Sequence, residues 1–150
     1  MYRKLNKKLK LLEEYVHYPN EGGCAIVAYA ITEYIKQIDP TIHTEIVYLF
    51  CDHATHNSYE NIVNGIPDSC SHAVASINGE YYDTLGKCSI DYLNKNYPNA
   101  KKVPTNTKLV LKSINKPYIW NNRFNRHSEV PKIFEIMELP EKDICKIEIF

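Results

Sequence analysis

The chain has 150 residues, 44% hydrophobic and 24% charged, and its 18 basic side chains balance its 18 acidic ones. These values are ordinary for a globular protein, and the length fits a single domain spanning residues 1–150. A zero net charge argues against a dedicated nucleic-acid-binding protein, which usually carries a basic excess. No apolar stretch reaches the roughly 20 residues that span a bilayer, and the charged N-terminus lacks an apolar signal core. We therefore expect a cytoplasmic protein with no membrane partner.

The cysteines give no sign of a disulfide framework. Their number is odd, their spacing is wide and no CxxC pair occurs, so intracellular thiols are the better interpretation. The five positions are Cys24, Cys51, Cys70, Cys88 and Cys145.

Two amphipathic helices are predicted near the start of the chain. The first carries a leucine and valine stripe with helical spacing and should end near Tyr18–Pro19, because proline restricts the residue before it. A loop at residues 20–23 leads to a second helix, which begins at Cys24 and ends before Asp39–Pro40. Small or apolar side chains fill much of this second helix, so we expect it to be the central, most buried one.

Strand patterns follow the second helix. Residues 42–50 predict a strand, and residues 51–70 form a polar stretch with turn signals. Residues 72–77 and 80–84 flank Asn78–Gly79, a dipeptide that favours a two-residue type I′ hairpin turn. This turn would pair Ala75 with Tyr82 and place residues 72, 74 and 76 on one face with residues 81, 83 and 85.

The rest of the chain predicts a short helix within residues 89–98, a strand at 108–113 and a last edge strand at 145–150. A further helix should be capped by Ser128 and extend to about Leu139. Mixed helices and hairpins indicate an α+β protein with a central helix packed on an antiparallel sheet.

Cys24 has the sequence environment of a reactive thiol. It follows Gly22–Gly23 and opens a strongly patterned helix, whose dipole and unpaired N–H groups favour the thiolate. The glycines leave the backbone accessible beside the sulfur, so a substrate carbonyl can approach closely. The same N–H groups can stabilise an oxyanion.

A thiol nucleophile of this kind needs a histidine, and His72 opens the predicted hairpin. On the predicted register Asp83 is its diagonal neighbour on the same face, within reach of longer side chains. An aspartate there can hold the imidazole in the tautomer that serves a thiol. A register slip of one residue would move Asp83 to the opposite face.

The order of these residues resembles the papain-like cysteine protease superfamily, most closely its transglutaminase-like and small bacterial or phage members. The stretch GGCAIVAYAI resembles their nucleophile helix, and SHAVASINGEYYDTLG resembles their segment with the catalytic histidine. The resemblance covers residues 18–87 and implies a papain-like fold. It implies Cys24 as the nucleophile, His72 as general base and acid, and Asp83 as the orienting residue.

The implied activity is a thiol-dependent hydrolase or acyltransferase that cleaves or exchanges an amide or ester bond through a thioester. Peptidase, deamidase and transglutaminase-like reactions all fit, on a protein or peptide substrate and without a cofactor. Papain-like peptidases commonly place an oxyanion glutamine several residues before the cysteine, and this sequence has none there. Asn20 could substitute for it, or the backbone N–H groups beside Gly23 could serve alone.

Two other interpretations compete with catalysis. One is an inactive papain-fold module that only binds a protein. The other is a zinc-stabilised module using Cys51, His53, His56 and Cys70, because thiolate and imidazole are zinc ligands, although the spacing matches no familiar zinc module. His72 lies in the same sequence cluster as these ligands, and it could not easily serve both zinc and Cys24.

Aromatic and basic residues of the C-terminal third, Trp120, Arg123 and Phe124, could stack on bases or cap a substrate cleft. The basic side chains of the first helix are best explained as a solvated face.

Overall fold

The computed structural model describes residues 1–20, 22–51, 56–116 and 123–148, except for the side chain of His56. Helices α1 (Tyr2–Tyr15) and α2 (Cys24–Ile38) precede strand β1 (Thr44–Phe50) and helix α3 (His56–Val63). Strands β2 (His72–Ile77), β3 (Glu80–Asp83) and β4 (Gly86–Lys87) follow, and then helix α4 (Ile90–Asn96) and strand β5 (Lys101–Thr105). Helices α5 (Thr107–Ile114), α6 (Arg126–Met137) and α7 (Glu141–Ile144) complete the described part.

The protein is a mixed α+β structure built on one antiparallel sheet. In the described residues its five strands are ordered β4-β3-β2-β1-β5, and every neighbouring pair is antiparallel. The long strands β1 and β2 lie at the centre, and their predicted positions agree with the structure. This sheet holds the start of β2 and the end of β3 side by side.

Helix α2 is the central helix that the sequence predicts. It packs against β1 and β2 on one side and against α5 and α6 on the other. Nearly all of its side chains are buried, including Tyr29 and Ile31. The leucine stripe of α1 joins the same core through Leu5, Leu9 and Leu12.

The two faces of the sheet have different covers, because side chains alternate along each strand. Tyr48, Ala73 and Ala75 belong to the large core around α2. Val47, Leu49 and Val74 point the other way and form a smaller cluster with Leu93 of α4.

The predicted hairpin is observed with its register. Ala75 lies opposite Tyr82, Ser76 opposite Tyr81 and Ile77 opposite Glu80. Asn78 and Gly79 have φ angles of 51° and 85°, the positive values that a type I′ turn requires.

Several predictions for the second half of the chain are wrong. Residues 108–113 belong to α5 and not to a strand. Asn106 caps this helix by accepting the N–H of Leu109, and the buried side chains fall on one helical face. The strand β5, just before it, was not predicted. It is an edge strand, which tolerates Pro104.

Helix α6 starts earlier than predicted, because Asn125 and not Ser128 is its N-cap. The predicted edge strand at 145–150 is not formed in its described part, where residues 145–148 follow α7 as a turn. Residues 149–150 lie outside the described residues. The polar stretch 51–70 contains α3, which its sequence pattern did not reveal. Among the helices of the described residues, none combines the length and apolar character that crossing a membrane needs.

Candidate active site

Cys24 is the first residue of α2, directly after its N-cap Gly23. The helix begins with the bond from the N–H of Val27 to the carbonyl of Gly23, at 2.9 Å. The N–H groups of the first turn before Val27 therefore have no partner within the helix, and they carry the positive end of its dipole. A thiol at this position lies beside donors that favour negative charge.

His72 and Asp83 form a buried ion pair at the ends of β2 and β3. Nε2 of His72 lies 3.1 Å from Oδ2 of Asp83, and the two side chains are 0% and 2% exposed. This is the diagonal contact that the hairpin register predicts. The type I′ turn fixes it, since any slip would separate the two side chains.

Asp83 is held as a carboxylate by further donors. Oδ1 accepts the N–H of Leu85 at 2.8 Å, and Oδ2 also accepts the hydroxyl of Tyr92 at 3.0 Å. Burial alone would raise the pKa of Asp83, but the bonds from His72, Leu85 and Tyr92 outweigh it and lower the pKa. A negative charge is thereby fixed beside Nε2 of His72.

The other ring nitrogen of His72 is available to the thiol of Cys24. Nδ1 is buried and, within the part of the chain that the structure describes, has no hydrogen-bond partner. Burial alone would lower the pKa of His72. The hydrogen bond to Asp83 and the interaction with Cys24 reverse that effect and raise the pKa to about 9. A pKa near 9 favours the imidazolium at neutral pH; Nε2 donates to Asp83, which leaves Nδ1 as the ring nitrogen free to serve Cys24.

The thiol of Cys24 is surrounded by groups that favour its ionised form. A hydrogen bond from the Cys70 thiol lowers its pKa most, and His72 and the backbone N–H of Ala73 act in the same direction. These effects exceed the opposing effect of burial, so the pKa lies well below that of an ordinary cysteine. The lowered pKa of Cys24 and the raised pKa of His72 both favour a thiolate–imidazolium pair.

An aromatic wall covers the imidazole. The ring of Tyr97, directly after α4, stacks on His72 with centroids 4.5 Å apart and planes only 2° from parallel. Tyr92 of the same helix packs edge-on against Tyr97 and bonds Asp83. His72 thus lies on the face of the sheet that α4 covers. It is the first residue of β2, and its ring interacts with Cys24.

Asn20 and Gly23 lie in the turn before Cys24. The amide nitrogen of Asn20 donates to Oγ1 of Thr84 at 2.7 Å, and Thr84 donates to Glu13 at 2.9 Å. This chain ties the turn to the residue next to Asp83 and to α1. An amide nitrogen carries two hydrogens, and only one is used by a described partner. The expectation that Asn20 contributes to an oxyanion site remains a prediction.

The atoms around Gly23 leave little room for a side chain at this position. A Cβ on this residue would lie 2.6 Å from Cε2 of Phe124, whose ring is buried, and 3.1 Å from the carbonyl oxygen of Pro19. Phe124 therefore packs beside the turn that precedes Cys24. The guanidinium of Arg123 lies 6.0 Å from the ring of Tyr18 in that turn. Trp120 lies outside the described residues.

The zinc alternative gains no support within the described residues, where no group of three or more candidate ligands is assembled. Its member His53 and the side chain of His56 lie outside the description. Cys51 is buried at the end of β1, where its N–H donates to Ser71. Cys70 instead contacts Cys24.

Sequence reasoning did not find the two tyrosines that support the histidine pair. Tyr92 and Tyr97 follow the hairpin on a short helix, and only the packing of α4 on the sheet reveals that they meet His72 and Asp83. The sequence suggests Cys70 only as a zinc ligand and does not reveal its place beside Cys24. The one sequence feature that could have placed Cys70 near the site is its position two residues before His72.

Comparison of the chain with protein-family models, with curated proteins and with solved structures gives no match. The geometry of the site is therefore the basis for assigning a function.

Proposed function

We propose that this chain is a papain-like, thiol-dependent hydrolase or acyltransferase that uses Cys24, His72 and Asp83. The observation that carries the proposal is the arrangement of the imidazole. Nε2 of His72 is paired with a buried carboxylate, and the other side of the ring meets a thiol at the start of the central helix. A nucleophile and base in contact, with the base oriented by a third group, is the geometry of covalent acyl transfer.

The first half-reaction follows from these contacts. The Cys24 thiolate attacks the carbonyl carbon of an amide or ester, and the electron pair moves to the carbonyl oxygen. The free N–H groups at the start of α2 would stabilise that oxyanion, with Asn20 as a second donor. As the tetrahedral intermediate collapses, His72 gives its Nδ1 proton to the leaving nitrogen or oxygen, and a thioester forms on Cys24.

The second half-reaction reverses the proton transfer. Neutral His72 takes a proton from the incoming nucleophile, which attacks the thioester carbonyl and expels the Cys24 thiolate. Water gives hydrolysis or deamidation, and an amine gives transamidation. Asp83 keeps Nε2 protonated throughout, so Nδ1 is the nitrogen that exchanges protons. We infer a protein or peptide as the carbonyl donor, with reaction in the cytoplasm and no cofactor.

The direct test is the order in which the thiols of the reduced, full-length chain are alkylated. The protein is treated briefly with limiting iodoacetamide at about pH 6, where an ordinary thiol near pKa 8.5 is almost wholly protonated. Cys145 is exposed and Cys24 is 5% exposed. If solvent access alone decides the order, Cys145 is alkylated first. If the thiol of Cys24 is activated, Cys24 is alkylated first.

We expect a single fast adduct that peptide mapping assigns to Cys24 and that is lost in Cys24→Ala. In His72→Gln the rate at Cys24 should fall at least about tenfold, because each unit by which the pKa rises above the pH lowers the thiolate fraction tenfold. Cys145→Ala is the matched control, since Cys145 is an exposed thiol after α7 and its loss should leave the rate at Cys24 unchanged. Reaction at Cys145 first, or no effect of His72→Gln, would favour a binding module with no catalysis.

A further inference from the structure

Cys70 lies directly against the proposed nucleophile. It comes just before β2, and its half-buried side chain packs on the core around α2. The N–H of Ser71 donates to the carbonyl of Leu49 at 2.9 Å, although His72 is the residue opposite Leu49 in the ladder. The chain therefore leaves the regular register at Ser71, and Cys70 reaches the side of the sheet on which α2 lies.

Cys24 belongs to the core cluster around α2 and Cys70 packs against that cluster, and of all the neighbours of Cys24 it is Cys70 that lowers its pKa most. A disulfide bond is about 2 Å long, so two neighbouring sulfurs form one through a local movement of their side chains. Both thiols are free in this structure. No other cysteine is placed to do this. Cys51 follows β1 and donates its N–H to Ser71, and Cys88 interacts with Asp83.

We propose that Cys70 is a resolving thiol, which converts an oxidised Cys24 into a reversible Cys24–Cys70 disulfide. This inference rests on the proposed function, in that it takes Cys24 to be the activated nucleophile of the chain. A hydroperoxide is the oxidant. The site is thus also a redox-modification site, in which oxidation switches the acyl-transfer chemistry off and a thiol reductant restores it.

Both steps balance. The Cys24 thiolate attacks the terminal oxygen of the hydroperoxide and the O–O bond breaks. The alkoxide leaves and takes up a proton as an alcohol, or as water from hydrogen peroxide, and Cys24 becomes a sulfenic acid. The Cys70 sulfur then attacks the Cys24 sulfur, the S–O bond breaks and the hydroxide leaves with the thiol proton of Cys70 as water. Two equivalents of a small thiol reduce the disulfide by exchange.

The physical benefit is protection of the nucleophile. A low-pKa thiolate is the form that hydroperoxides oxidise, and a sulfenic acid without a partner proceeds to the irreversible sulfinic acid. Because Cys70 is already in contact, condensation competes with that second oxidation. The disulfide would also occupy the sulfur that must attack the substrate.

The test uses the reduced full-length chain with a slight excess of hydrogen peroxide. Free thiols are then blocked with iodoacetamide under denaturing conditions, and intact mass and peptide mapping are measured before and after dithiothreitol. In the wild type we expect a peptide in which Cys24 is linked to Cys70 and its disappearance on reduction. In Cys70→Ser the hydroxyl still donates to Cys24, but Cys24 should accumulate as sulfinic acid that dithiothreitol does not reverse. Cys145→Ser, at the exposed cysteine after α7, is the matched control and should form the Cys24–Cys70 linkage as the wild type does.

A wild-type chain that gives only sulfinic acid, or a disulfide that excludes Cys70, would overturn the proposal. So would a Cys70→Ser chain that recovers as fully as the wild type. The linked peptide is measured in the wild type and does not depend on the folding of a variant. Fast alkylation of reduced Cys24 without the disulfide would refute only the resolving role. A Cys24 that reacts slowly with iodoacetamide would refute the proposed function itself.

Discussion

The Asp83→Asn substitution tests the electrostatic centre of the site with almost no change of shape. Oδ1 of Asp83 accepts one N–H, and Oδ2 accepts both the Tyr92 hydroxyl and Nε2 of His72. If the asparagine oxygen keeps the Leu85 bond, its amide group faces Nε2 as a donor. Nε2 must then become an acceptor, and the neutral ring carries its proton on Nδ1, toward Cys24. That is the wrong tautomer for a base that must accept a proton there.

The magnitude follows from the pKa of His72, which is about 9 against 6.5 for an ordinary histidine. At 1.36 kcal/mol per unit, this elevation corresponds to roughly 3 kcal/mol of preference for the charged ring. A neighbouring carboxylate shifts a pKa by about 1–3 units, so Asp83→Asn should bring His72 to between about 6 and 8. The wrong tautomer in a Ser-His-Asp triad costs about 10⁴-fold in kcat, and we expect a loss of that order in acyl transfer.

The assay is a proton–nitrogen NMR titration of the histidine rings. The His72→Gln spectrum identifies the signals of His72 by their absence. Near-native circular dichroism and thermal unfolding of Asp83→Asn would establish that its fold is retained. A His72 pKa that stays near 9 in Asp83→Asn would refute the reasoning, because the ring would then owe its charge to some other group. A wild-type His72 that titrates near 6.5 would refute it equally.

Three further predictions follow from the packing and the proton balance. In the wild type, unfolding free energy should be flat between about pH 6.5 and 9, because the Cys24–His72 pair holds one proton folded and one unfolded. In Cys24→Ser the contribution of Cys24 to the pKa of His72 is lost, but Asp83 still raises that pKa. The resulting stabilisation is full below pH 6.5 and is lost as the pH rises through the folded pKa, so urea denaturation should show stability falling above pH 6.5. Gly23→Ala should lower the unfolding free energy by about 1–3 kcal/mol in the same assay, because the added Cβ would lie 2.6 Å from the ring of Phe124. If the same substitution lowers it equally in a Phe124→Leu background, the clash with Phe124 is not the cause. Phe134→Ala, at a fully buried ring packed edge-on against Tyr29, should cost about 3–5 kcal/mol, whereas exposed Leu85→Ala should stay within about 0.5 kcal/mol.

Local sequence determined the elements that carry the reacting groups. A helical stripe that begins after two glycines places Cys24 at the start of α2, and Asn78–Gly79 sets the hairpin register. Both signals are short-range, because a helix start and a two-residue turn depend on the conformations of a few neighbouring residues. From that register alone the His72–Asp83 contact could be predicted.

The tertiary structure decided which residues surround that pair. Residues 108–113 have strand-forming side chains, yet they form a helix, because Asn106 caps it and its buried face packs on α2. The stacking of Tyr97 on His72 and the hydrogen bond from Cys70 to Cys24 join residues far apart in the chain. Sequence periodicity records which face of an element is apolar, but it does not record which other element covers that face. The charge state of the site depends on that covering, since burial and partners from α4 and the start of β2 set the pKa values.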